Sequence, residues 1–254
     1  MPAIFDDFSV LQLALVAGAA LVTAVIGGIA GYGTGILMPL VLVPILGPEP
    51  VVPVMSIASF IVNAGRIAAF RRLIEFRPAL IVLATAVPTC VLGAWLYTRL
   101  SGMGAQIVIG GFLMASVPLR WLLRNKGLHI GEGGLAVGAA GFGVVTGAAS
   151  GTGVILVSLL MAAGLGGGAV IATDAAISLV VHLVQASVFG VAGVIDADVI
   201  AVALLIGIFA LPGAFVARAI VDRISISLHT AILDAVVLLG GGLMVASAIL
   251  RLMR

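Results

Sequence analysis

Long apolar runs set the rhythm of this chain, and short charged or glycine-rich stretches separate them. Runs at Val10–Ile29, Pro50–Phe70, Pro78–Tyr97, Ala105–Leu123, Gly134–Val145, Ala169–Val191, Val199–Ala217 and Ser227–Leu250 are almost free of charge. An apolar run of about 17–25 residues spans a bilayer as a helix. Two further runs, Gly35–Leu46 and Gly153–Ala163, are too short for an ordinary span. Each follows a glycine cluster directly. Glycine supports non-helical backbone. Such backbone survives at membrane depth only when buried in protein or lining a polar cavity. The pattern predicts an all-α membrane protein of 8–10 transmembrane segments with two glycine-broken half-helices.

The two halves of the chain match. Gly33-Thr34-Gly35 aligns with Gly151-Thr152-Gly153 at a spacing of 118 residues. After one inserted residue, Gly47 meets Gly166, Ser59 meets Ser178, Asn63 meets His182, Arg66 meets Gln185 and Phe70 meets Phe189. After a second insertion, Gly93-Ala94 meets Gly213-Ala214. The ordered series predicts a duplication, with a first repeat at 1–126 and a second at 127–254. Short, glycine-interrupted segments at corresponding places in two halves point to the binding site of a transporter.

Composition agrees with lipid as the solvent. Of 254 residues 63% are hydrophobic and 9% charged, whereas a soluble domain is roughly a quarter charged. The net charge of +2 forms no clustered basic face, which argues against nucleic acid. The single cysteine, Cys90, has no thiol partner for a disulfide or a metal site. The only lysine is Lys126, and no phosphate-binding loop is present. The first ten residues hold Asp6 and Asp7 and no basic residue, so the first apolar run reads as a retained helix rather than a signal peptide.

Basic residues in short loops set orientation. If both short segments cross, each half has five crossings and the repeats are inverted. One side then carries Arg66, Arg71, Arg72, Arg77, Arg120, Arg124, Lys126, Arg218 and Arg223, and the other Arg99, Arg251 and Arg254. If the short segments are re-entrant, each half has four crossings and the count stays nine to three. The inverted version is preferred because it puts both acidic stretches, Asp6-Asp7 and Asp196–Asp198, outside.

Several residues inside the apolar runs carry candidate chemistry. Half-helices starting near Ile36 and Val154 would present free N–H groups and a positive dipole end inside the membrane, which favours an anion. Gly33, Thr34, Gly35, Ser150, Gly151, Thr152 and Gly153 are the predicted lining, with three hydroxyl donors among them. Asn63 and His182 lie well inside their spans, where a polar side chain is functional by default. One turn on, Arg66 is a fork for an oxyanion or a snorkelling interfacial residue, with snorkelling favoured. Gln185 is its counterpart. Ser59 and Ser178 share the faces of Asn63 and His182. His182 and Asp174 are candidate proton carriers. Kinks are expected at Pro39, Pro53, Pro88 and Pro212.

The segment from Gly27 to Leu40, Gly27-Gly28-Ile29-Ala30-Gly31-Tyr32-Gly33-Thr34-Gly35-Ile36-Leu37-Met38-Pro39-Leu40, resembles the first-half motif of the sulfite exporter TauE/SafE family. Gly151-Thr152-Gly153-Val154-Ile155-Leu156-Val157 resembles its second-half counterpart, with Val157 where the family often has proline. Leu92-Gly93-Ala94 and Pro212-Gly213-Ala214 also fit. The resemblance implies a bacterial inner-membrane permease for sulfite, thiosulfate or a sulfonate, with no enzymatic activity and no cofactor. Its expected partners are the small sulfur-containing anion, the lipid bilayer and, optionally, further copies of the chain. Two alternatives come from the residues. One is a channel or transporter for another small solute. The other is an intramembrane serine protease using Ser150 and His182, similar to a rhomboid-type pair.

Overall fold

The computed structural model describes residues 9–30, 34–125 and 129–220, and isolated helical positions between 238 and 250. Among the described residues the chain is all helical. In order these are α1 (Val10–Ala30), α2 (Thr34–Leu46), α3 (Val51–Phe70), α4 (Phe76–Tyr97), α5 (Gly102–Asn125), α6 (Glu132–Ala148), α7 (Gly153–Ala162), α8 (Gly167–Val191) and α9 (Ala197–Ile220). A single 3-10 turn, Arg71–Leu73, joins α3 to α4. The predicted runs and these helices coincide to within a few residues, because a bilayer-length apolar run has no other way to satisfy its backbone. Stretches of α3, α4 and α8 are long and apolar enough to cross a membrane by themselves. The last predicted run, Ser227–Leu250, lies largely outside the described residues. Within it Gly241 stands against Gly110 and Leu113 of α5.

The surface is apolar. Leu15, Val22, Phe76, Leu80, Val137, Ile208 and Phe215 are all exposed. A soluble protein could not show so much contiguous apolar surface, and in a bilayer this is the lipid-facing side. Lipid tails are as apolar as leucine, so the helices associate by close packing rather than by a hydrophobic drive. Glycine supplies that closeness. A methyl group added to Gly143 would meet Ala86 and Thr89 of α4, one on Gly147 would meet Cys90 and Ala94, and one on Gly93 would meet Val144. Gly213 of α9 sits in the same way against Leu21 and Ala24 of α1.

These contacts interlace the two halves of the sequence. Helix α4 packs along α6, and α9 along α1. Two cores result. One is built mainly from α1, α2, α3, α5 and α9 around Met38, Leu42, Met55 and Ile206, with Ala94 and Tyr97 from the end of α4 and Phe189 from the end of α8. The other is built from α4, α6, α7 and α8 around Phe142, Leu156, Leu160 and Ile177. At the centre α3 packs on α8, and the two run antiparallel. Arg66 near the end of α3 meets Asp174 near the start of α8. Just beyond α3, the Glu75 N–H donates to the Thr173 hydroxyl at 3.0 Å.

Candidate functional site

Both half-helices begin where the sequence places the breaks. Helix α2 starts at Thr34 and α7 at Gly153. Gly33 lies outside the described residues. The two breaks touch: a methyl group on Gly35 would stand 2.8 Å from the Cα of Gly151. Gly151 has φ +87°, in the left-handed region that an L side chain rarely adopts. The Ser150 hydroxyl donates to the Gly35 carbonyl at 2.9 Å, so a side chain of one break is tied to the backbone of the other.

The start of α7 lacks a side-chain cap. Thr152 occupies the N-cap position, but its hydroxyl makes no capping bond. It pairs instead with the hydroxyl of Thr146 at 2.7 Å. The first N–H groups of a helix have no partner one turn back; at α7 the Ile155 N–H donates to the Thr152 carbonyl at 2.9 Å, which leaves those of Gly153 and Val154 for an acceptor. Thr152 and Ser150 are both buried. This is the arrangement that attracts a small anion.

Two side-chain networks occupy the central helices, one on α8 beside the second break and one joining the end of α3 to the start of α8. On α8, Gln185 is buried and its amide donates to the carbonyls of Thr146 at 2.7 Å and Gly147 at 3.2 Å. Those carbonyls close α6 immediately before the second break. With the amide nitrogen so engaged, the Gln185 Oε1 is the acceptor for His182 Nδ1 at 3.0 Å. His182 therefore carries a proton on Nδ1, and in the neutral ring Nε2 is an acceptor. On α3, the Asn63 amide donates to the Ser59 carbonyl at 2.9 Å. Its Oδ1 accepts from Arg66 Nη1 at 3.0 Å. The same Nη1 lies 2.9 Å from Asp174 Oδ2.

The snorkelling expectation for Arg66 is overturned. Its side chain is 14% exposed and its charge is turned inward to Asp174, itself 1% exposed. A buried carboxylate is a stronger attraction than a distant interface. Ser150 and His182 make no hydrogen bond to each other among the described residues, since each is committed elsewhere. The nucleophile–base contact that a protease needs is not formed. Sequence reasoning missed Thr146, which holds Thr152 away from its capping role, and the partnership of Arg66 with Asp174.

The family model of the sulfite exporter TauE/SafE family matches residues 16–244, nearly the whole chain. That span takes in both breaks and both networks. No curated protein matches the chain. No solved structure matches it either.

Proposed function

The chain belongs to the sulfite exporter TauE/SafE family, and from that premise we propose that it is a bacterial inner-membrane secondary transporter for a small sulfur-containing anion such as sulfite, thiosulfate or a sulfonate. The observation that carries the proposal is the contact between Gly35 and Gly151, which brings the starts of two half-helices together. Two positive dipole ends and their N–H groups at one point form a receptor for an oxyanion. Thr34, Ser150 and Thr152 line it with hydroxyls, Gly33, Gly35, Gly151 and Gly153 let the backbone approach, Asn63 offers the second hydrogen of its amide, and His182, whose Nδ1 donates to Gln185, offers a donor at Nε2 once it is protonated.

The repeats, 1–126 and 127–254, are read as inverted. Aligned helices α3 and α8 run antiparallel, as a two-fold axis in the membrane plane requires. The exchange of partners, α4 on α6 and α9 on α1, supports the same symmetry. Rocking of one interlaced core against the other would open the site to each side in turn.

Thermal shift of the purified protein in detergent tests the reading. Sulfite, thiosulfate and sulfoacetate are compared with chloride and sulfate. A ligand of the folded state raises Tm. A shift with a sulfur anion that Asn63→Ala or His182→Ala removes is the expected result. A cooperative melt that none of the three anions moves defeats it.

A further inference from the structure

The Arg66–Asp174 pair holds an unusual residue of need. Among the described residues Arg66 Nη2 and Asp174 Oδ1 are both buried and have no hydrogen-bond partner, and the one hydroxyl near the carboxylate is that of Ser178, one turn along α8. One is a donor in want of an acceptor, and the other an acceptor in want of a donor. Buried polar atoms are nearly always satisfied, and the exceptions call for an explanation. An oxyanion and one proton, arriving together, would supply both: an anion oxygen to Nη2 and an O–H bond at Oδ1.

Charge balance points the same way. The ion pair is neutral as it stands. A monovalent anion added to it would leave one buried negative charge, which is very costly in a low-dielectric site. A proton taken up by Asp174 restores neutrality and frees the whole guanidinium for the anion.

Among the described residues no other group facing Asp174 is placed to take that proton. From α3 the only charged residue is Arg66. From α4 it is Arg77, exposed and paired with Glu132 of α6. The titratable Cys90 and Tyr97 of α4 are bonded to the carbonyls of Val181 and of Pro48 and Glu49. Helix α7 has no charged residue. Arg71 and Arg72 of the 3-10 turn and Glu75 beyond it are exposed. On α8 itself His182 stands two turns away and is bonded to Gln185.

We propose that Arg66, whose partner Asp174 lies eleven residues or about 16 Å along α8 from Gln185 and the breaks, is a second, cationic station on the path of the transported anion, held by Asp174 until the anion arrives, and that Asp174 takes up a proton from the aqueous phase as the anion replaces it. The inference rests on the anion-transporter reading and deepens it by naming the coupling ion. Anion and proton then cross together. The device works on one face only, because the aligned positions in the opposite sense, Gln185 and Met55, carry no charge.

Proton uptake on binding is the direct test. Thiosulfate and methanesulfonate stay ionised near neutral pH, so any proton taken up belongs to the protein. Each is titrated into the protein in weakly buffered detergent solution with a pH-indicating dye, and binding is followed by thermal shift. About one proton taken up per methanesulfonate, a monoanion, is expected for the wild type, and at least as many per thiosulfate, a dianion. Asp174→Asn, which imitates the protonated acid, should bind without uptake. Arg66→Gln with Asp174→Asn strands no charge, and should fold but bind at least about tenfold more weakly. Binding by the wild type with no proton taken up overturns the inference and leaves the transporter reading standing. Uptake that persists in Asp174→Asn, or full affinity in the double variant, also overturns it. Absence of binding by either anion sinks the sulfur-anion reading and this one with it.

Discussion

Helices α3 and α8 occupy the same place in the two proposed repeats and cross at the centre of the molecule, yet they solve the problem of buried polarity differently. Helix α8 spends Gln185 on two backbone carbonyls of α6 and ties His182 to it. Every bond there is between neutral partners or to backbone. Helix α3 carries Arg66 at the aligned position and reaches across to a carboxylate on α8. A scaffold whose halves exchange would be equally stable facing either way. Placing an ion pair on one side and a backbone brace on the other removes that equivalence. Under the proposed duplication the repeat would supply the geometry, and its breakage at Arg66 and Gln185 would supply the asymmetry.

The sharpest way to break the comparison is to strand the charge. Arg66→Ala leaves Asp174 buried and alone, and should cost about 3–5 kcal/mol. Arg66→Met with Asp174→Leu should recover most of that loss, measured as Tm in detergent. A double variant no better than the single would show that the pair is not coupled.

A second bridge can be built at the aligned positions. Met55→Asp and Gln185→Arg should each destabilise, and together regain at least about 1 kcal/mol through their interaction. No regain would mean that α3 and α8 do not exchange under a two-fold axis.

The smallest effects fall on the neutral side. Gln185→Ala removes two bonds to the end of α6 and should cost about 1–2 kcal/mol. Ser150→Ala removes one interhelical bond to Gly35, for which about 0.6 kcal/mol is typical in membranes. If Ser150→Ala proves the costlier of the two, the strength of the centre lies in the breaks and not in the flanking helices.

Much of the fold was legible in the sequence because lipid leaves a chain few choices. Apolar runs of bilayer length become helices, and the glycine clusters at Gly33-Thr34-Gly35 and Gly151-Thr152-Gly153 mark where helices restart. The pairing of Arg66 with Asp174 was also within reach. The proposed inverted repeats would make α3 and α8 antiparallel, which puts a residue near the end of one at the depth of a residue near the start of the other. Snorkelling was favoured because Arg66 was judged against its own helix end, without the partner helix. The role of Thr146 had no such trace. Its hydroxyl reaches Thr152 only because the chain folds back at a glycine with positive φ, and apolar periodicity does not record that bend. The exchange of α4 and α9 between cores was equally hidden, since a membrane span looks the same whichever core it joins.

That exchange has a consequence for how the protein is made. Helix α4 finishes its own synthesis before α6, the helix it packs against, has emerged. About 50 further residues must be added, roughly 2.5–10 s at a rate of about 5–20 residues per second. Meanwhile the groove of Ala86, Cys90 and Ala94 that will receive Gly143 and Gly147 faces lipid or the insertion machinery. The first half is thus an unfinished bundle waiting in the bilayer, and the second half completes it as it arrives. Cutting the chain between the repeats should give two fragments that mature only in each other's company.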